Sequence, residues 1–187
     1  YPYRIFDPCI WKEDDGYYSL AGTWRGFPRE RRKTCDHLFY SKDLTHWEYI
    51  HPLVEDDSFC TMSDDGACPN FWPIGNGKHA LTLFSHRTGS RYYIGDYDKK
   101  THKFMIDYHR RFSHNGRIGG GIGTPSVTVD PKGRHITIFN YHEGFSEQGP
   151  HAGNGVFSVP LIMKAKKHFP VHDRPYNELE ALRFNPC

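Results

Sequence analysis

The feature that most constrains the fold is a local pattern that occurs three times. Each copy has a proline opening a β-forming run, then a tight polar turn, then a second β-forming run. The first copy reads Asp7-Pro8-Cys-Ile-Trp, a turn at Glu13-Asp-Asp-Gly16, then Tyr17 to Trp24. The second reads Cys68-Pro69-Asn-Phe-Trp-Pro-Ile, a turn at Gly75-Asn-Gly77, then a run ending at His86. The third reads Thr124-Pro125-Ser-Val-Thr-Val, a turn at Asp130-Pro-Lys-Gly133, then His135 to Tyr141. Pro8, Pro69 and Pro125 stand 61 and 56 positions apart. A period near sixty residues has room for one four-stranded antiparallel unit, and units repeated at even spacing are the mark of a β-propeller.

The intervening segments supply the remaining strands. In the first repeat, His37 to Ser41 reads as a third strand and Glu48 to Ile50 as a short fourth. In the second, Arg91 to Tyr97 and Phe104 to Tyr108 fill those places. Asp43 to Trp47 and Asp98 to Lys103 form the turns between them. In the third, a polar loop from Ser146 to Asn154 leads into an apolar run, Gly155 to Met163. A basic segment follows, and Pro175 to Arg183 reads as one short helical turn. The expected fold is therefore all-β: about three four-stranded blades, over residues 1–55, 56–112 and 113–187, in one propeller fragment. Propellers usually have four to eight blades. Three blades leave open edges, so further blades or a partner subunit are expected to close the ring. The start at Tyr1, without Met or an apolar leader, suggests a fragment or a processed product.

Composition fits this picture. Hydrophobic residues make up 37% and the mean hydropathy is −0.73, lean for a core, but aromatic residues reach 16% and each ring buries a large area. A net charge of +2 calls for no nucleic-acid partner. No run of 18 apolar residues offers a membrane-spanning helix. Arg25 to Lys33 holds five basic residues and reads as a solvated loop. The Gly-rich stretch Ser113 to Gly123 lacks the lysine and strand-to-helix setting of a phosphate loop. The cysteines (Cys9, Cys35, Cys60, Cys68 and Cys187) show no metal-ligand spacing. Cys9 and Cys68 read as buried thiols of a β core, and Cys35 with Cys60 is an open disulfide option in an oxidising compartment.

Propeller geometry places the chemistry. The first strand of each blade lines the central channel, and the antiparallel second strand ends beside the beginning of the first. The channel mouth should therefore collect Asp7, Asp64 to Cys68 and Thr124 with Thr23, Trp24, Ser85, His86 and Tyr141 to Glu143. Carboxylates, imidazoles and rings outnumber aliphatic groups there, as a sugar site requires: rings stack on sugar faces and the polar groups bond hydroxyls. Acid and base work on a glycosidic bond takes two carboxylates from different elements. Asp7 with Asp64 or Asp65 meets that need, and Glu143 is a third candidate.

Four stretches resemble glycoside hydrolase family 32, the invertase, levanase and inulinase group. Arg4-Ile-Phe-Asp-Pro8 is similar to its Arg-Asp-Pro motif, and Leu38 to Tyr49 to its Ser-Lys-Asp-Leu…His-Trp stretch. Ala67 to Gly75 is similar to its Glu-Cys-Pro-Asp motif, and Glu178 to Arg183 to the segment that closes its propeller. The resemblance implies a five-bladed propeller, an extracellular or periplasmic setting, and no cofactor or metal. It also implies retaining hydrolysis of β-fructosides, acting on a fructan or a sucrose-like oligosaccharide. Asp7 would stabilise the transition state, Asp64 or Asp65 would be the acid, and Trp24, His86 and Glu143 would line the pocket. The chain departs from the family at three points. Phe6 occupies the arginine position, Ala67 occupies the acid/base position, and no Asn-Asp-Pro-Asn nucleophile motif occurs. Two further readings follow: a carbohydrate-binding or structural propeller without catalysis, and a family 43-like arabinosidase or xylosidase.

Overall fold

The computed structural model describes residues 5–25, 33–54, 66–85, 89–112, 121–142, 155–165 and 172–182. They form three antiparallel sheets. The first runs β1 (Ile5–Glu13), β2 (Gly16–Arg25), β3 (Lys33–Ser41) and β4 (Glu48–Pro52), in that spatial order. The second repeats the plan with β5 (Ala67–Gly75), β6 (Lys78–Ser85), β7 (Gly89–Asp98) and β8 (Lys103–Arg111). In the third, β9 (Gly121–Val129) pairs with β10 (His135–His142). Beyond β10 lie β11 (Gly155–Phe157) and β12 (Leu161–Lys164), then β13 (His172–Pro175). Of the Gly-rich stretch, residues 121–123 belong to β9.

The third sheet differs from the other two for a local reason. The apolar run 155–163 divides into two strands that share one row beside β10, because Pro160 has no N–H to donate to it. Ser158 covers the break. Its N–H donates to Phe139 O at 2.8 Å, and its hydroxyl accepts from Phe139 N at 2.9 Å. The fourth row, His-Asp-Arg-Pro, has no β-forming pattern of its own and exists through its ladder to β12. Pro175 is tolerated there because it stands at the end of that short last row. The helical turn is α1 (Asn177–Glu180).

The sheets stand side by side, and the second is covered on both faces. Toward the first sheet it presents Phe71, Leu81, Leu83 and Tyr93, packed with Leu20 and Leu53. Toward the third it presents Trp72, Ile74, Ala80 and Ile94, packed with Phe139 and Met163. Successive β5 side chains thus go to opposite interfaces, as the two-residue period of a strand requires. Rings fill the first interface: Trp11 lies 5.5 Å from Phe71 by centroids, and Phe71 meets Phe104 edge-on at 5.3 Å. Each such buried pair adds about 0.5–1.5 kcal/mol beyond area burial. Backbone bonds cross both interfaces, from Phe104 N to Leu53 O at 3.1 Å and from Ala165 N to Ile74 O at 3.0 Å.

Candidate functional site

The inner strands β1 and β5 open with the same distortion. In β1 the ladder to β2 shifts between Phe6 and Cys9, leaving Asp7 and Pro8 as a bulge. In β5 it shifts between Ala67 and Asn70, leaving Cys68 and Pro69. A proline cannot donate to the ladder, so the bulge is where the strand accommodates it. The residue before each proline takes a left-handed backbone, φ 49° at Asp7 and φ 49° at Cys68. That conformation is costly for a residue with a Cβ, by roughly 1 kcal/mol or more. In β9 the shift occurs just before Pro125, at Gly123 and Thr124.

The two left-handed residues meet. Asp7 Oδ2 accepts the backbone N–H of Cys68 at 3.3 Å and lies 3.5 Å from Cys68 Sγ. The next sheet is tied in by Asn70, whose Nδ2 donates to Pro125 O at 2.8 Å and to Cys68 O at 3.3 Å. A continuous path of hydrogen bonds therefore runs Asp7–Cys68–Asn70–Pro125 across the openings of all three inner strands. The expected radial arrangement is the one observed: three like sheets with their opening residues drawn together. The strand register also brings the ends of the second strands to this rim. Thr23 pairs with Ile5, Phe84 with Ala67, and His142 with Gly121.

Of the residues singled out from the sequence, Asp7 is placed at this rim, exposed, with one carboxylate oxygen engaged by Cys68. Trp24 pairs with Thr34 in β2, but its side chain lies outside the described residues, as do Asp64, Asp65, His86 and Glu143. The open Cys35–Cys60 disulfide option cannot be placed among them, since Cys60 and the side chain of Cys35 lie outside the described residues. One expectation is corrected. Cys68 is exposed rather than buried in the core, because the bulge turns it out of the alternation that carries Phe71 and Trp72 inward. Cys9 is half-buried and packs against the first interface. Cys68 was expected at the mouth, but its amide as the partner of Asp7 and the part played by Asn70 escaped the sequence reading. An asparagine directly before the apolar run Phe71 to Ile74 was the available signal for the latter, since a polar side chain at an interface position needs partners.

A second polar cluster occupies the opposite, turn-bearing end of the first interface. Tyr18 Oη donates to Asp15 Oδ2 at 2.8 Å and lies 2.9 Å from His102 Nε2, while Tyr97 Oη lies 2.7 Å from His102 Nδ1. Burial pushes both phenols above the usual tyrosine range and holds His102 below the usual histidine range. With Tyr18 donating to Asp15, the one consistent tautomer has His102 Nε2–H donating to Tyr18 and Nδ1 accepting from Tyr97. This cluster satisfies its own groups and fastens the first sheet to the second. Among the described residues no group of three or more His, Cys, Asp or Glu side chains could hold a metal ion.

Residues 2–149 match the family model described as the glycosyl hydrolases family 32 N-terminal domain. The chain belongs to glycosyl hydrolase family 32. A family 32 glycoside hydrolase from Bifidobacterium adolescentis superposes with a TM-score of 0.66 at 14% identity, over 94% of this chain and 36% of that one. An endo-arabinase from Bacteroides thetaiotaomicron superposes with a TM-score of 0.53 at 17% identity, over 92% of this chain and 55% of that one. A family 43 enzyme from Xanthomonas citri, solved with xylose, gives 0.53 at 13% identity, over 90% of this chain and 54% of that one. At such identities these likenesses speak for the propeller fold shared by families 32 and 43. The family 32 chain spans about a third of the length of its Bifidobacterium counterpart. No curated protein matches the sequence.

Proposed function

We propose that this family 32 chain contributes the sugar-facing rim of a β-fructosidase. In this reading it acts on fructose-containing oligo- or polysaccharides by a retaining mechanism, within a complete propeller. The single observation that carries the reading is Asp7: an exposed carboxylate at the mouth of a family 32 propeller, held in a left-handed bulge and fixed by the Cys68 amide. A carboxylate oriented in advance costs no reorganisation when positive charge develops on the sugar ring, and such fixed groups are the largest source of rate enhancement in many enzymes. Asp7 thus stabilises the oxocarbenium-like transition state and accepts ring hydroxyls. Asp64 or Asp65, just ahead of the strand that Asp7 grips, supplies the acid. Trp24, next to last in β2, and His86 and Glu143, each directly after the end of β6 and β10 in sequence, line the sugar pocket.

The test is hydrolysis of sucrose, inulin and levan by the complete protein and by Asp7→Asn. The expected result is turnover that falls by at least about a hundredfold in the variant, the scale for loss of one oriented transition-state contact. Turnover unchanged by Asp7→Asn overturns the assignment.

One observation favours a second reading, a propeller that binds sugar without cleaving it. Ala67 stands where the motif has its glutamate, and it is buried at 4% exposure in the ladder with Phe84. Saturable sugar binding without hydrolysis supports that reading.

A further inference from the structure

We propose that Asn70 is a positioning residue that sets the direction of the Asp7 carboxylate, an inference that rests on the reading of Asp7 above. Asn70 acts through Cys68, which is gripped from both sides: its N–H by Asp7 at 3.3 Å and its carbonyl by Asn70 at 3.3 Å. Cys68 holds φ 49°, a state that relaxes unless its surroundings determine it. The other hydrogen of the same Asn70 amide goes to Pro125 O at 2.8 Å, a carbonyl of the next sheet.

Both partners of Nδ2 are carbonyl oxygens, which only accept. The amide orientation is therefore fixed, and only a side chain with two hydrogens on one nitrogen can hold both carbonyls from this place. The third sheet is built around Phe139 and Met163 and is packed on the same face of β5 that carries Asn70. Asn70 hands the position of that sheet to the Cys68 bulge, and the bulge hands it to Asp7. A displacement of about 1 Å in a group of this kind costs about a hundredfold in rate.

The requirement is for donors rather than for volume, and this separates positioning from packing. Asn70→Asp keeps the size and shape but turns two donors into acceptors facing carbonyls. Asn70→Ala removes the group without adding repulsion. We expect kcat on sucrose, inulin or levan to fall at least tenfold in Asn70→Ala and further in Asn70→Asp, with KM within about threefold of the parent.

A second readout needs no activity. Iodoacetamide should alkylate exposed Cys68 several-fold faster in both variants, again in the order Asp above Ala. The half-buried Cys9 should keep its parental rate, which excludes general loosening. Where Asn70→Ala does not fold, Asn70→Ser takes its place. The proposal is overturned if Asn70→Asp behaves like the parent while Asn70→Ala does not. It is equally overturned if both variants keep kcat and Cys68 alkylation within twofold. If the parent hydrolyses none of the three sugars, the functional reading fails by itself, and the alkylation order still decides whether Asn70 clamps the bulge.

Discussion

Backbone strain is distributed unevenly among the residues of this chain, and each strained position sits where a hydrogen-bond network holds it. Leu44 is an instance away from the rim. It takes φ 66° inside the turn after β3 while its side chain is 49% exposed. The turn is organised by Asp43, whose carboxylate accepts the amides of Thr45 and His46, each at 2.8 Å. Those amides, His46 foremost, hold the Asp43 carboxyl well below the usual carboxylate range. The geometry is thus set by Asp43, and the leucine side chain adds little to it. Leu44→Gly should stabilise the protein by about 0.5–1 kcal/mol, read as a rise of about 1–4 °C in Tm. A fall in Tm would mean that the leucine side chain packs more than its exposure suggests. Gly95 is the opposite case. A Cβ there would run into the Met105 carbonyl across the β7–β8 ladder, at a bulge that brings the two backbones together. Gly95→Ala should cost about 2 kcal/mol or more, visible as a lower urea midpoint, because backbone cannot give way as a side-chain tip can.

Among the elements, α1 depends most on its neighbours. Four residues are too few for a helix to persist alone, since nucleation is unfavourable and few bonds repay it. It is held by Arg134, whose guanidinium reaches Asp130 at 2.7 Å, Glu178 at 2.7 Å and Tyr176 Oη at 2.8 Å. The β9–β10 turn and the final helical turn are therefore one unit. Arg134→Ala should release α1 while leaving the sheets intact. Amide exchange over 176–182 should rise at least tenfold, with Tm lowered by no more than about 3 °C. The same clamp carries a pH dependence. Arg134 pulls Glu178 down to about 2 from an ordinary value near 4.5. A depressed carboxylate contributes its stability above its unfolded pKa and loses it as the pH falls through the folded one. Exchange in α1 should hence be flat above pH 5, after correction for intrinsic rates, and rise between pH 4.5 and about 2.

For the molecule as a whole, histidines give the clearest pH signature. His79, stacked on Phe71 between the first two sheets, is held down to about 4 mainly by burial, and burial also lowers His102 and His135. The folded state takes up fewer protons than the unfolded chain once the pH drops below 6.5. Stability is therefore full above 6.5 and is lost progressively toward pH 4. His46 runs the other way, raised by its bond to Asp43, but it is exposed and solvent screens it. The urea midpoint should accordingly be lower at pH 5 than at pH 7.5, with the m-value unchanged. A midpoint equal at the two pH values would show that these imidazoles titrate freely in the folded state.

The number of sheets, the opening prolines and the turns between the first two strands of each blade were legible in the sequence. They are local: a proline without an N–H and a Gly- or Asp-rich turn act within a few residues. The placement of Asp7 at the rim was legible too, because the two-residue period and antiparallel return of a hairpin place strand ends by counting. Three things were not. Cys68 looked like core until the ladder slipped at Pro69 and turned it outward. The row made by His172–Pro175 has no pattern of its own and exists only as the partner of β12. The path Asp7–Cys68–Asn70–Pro125 has single links that span as many as 61 positions, and it runs through an amide whose two acceptors lie on different sheets. Local chemistry in the sequence determined that this chain would make blades. Which residues touch at the mouth was decided only when three separate sheets packed, because contact between them depends on the register of each ladder and no short stretch of sequence carries that register.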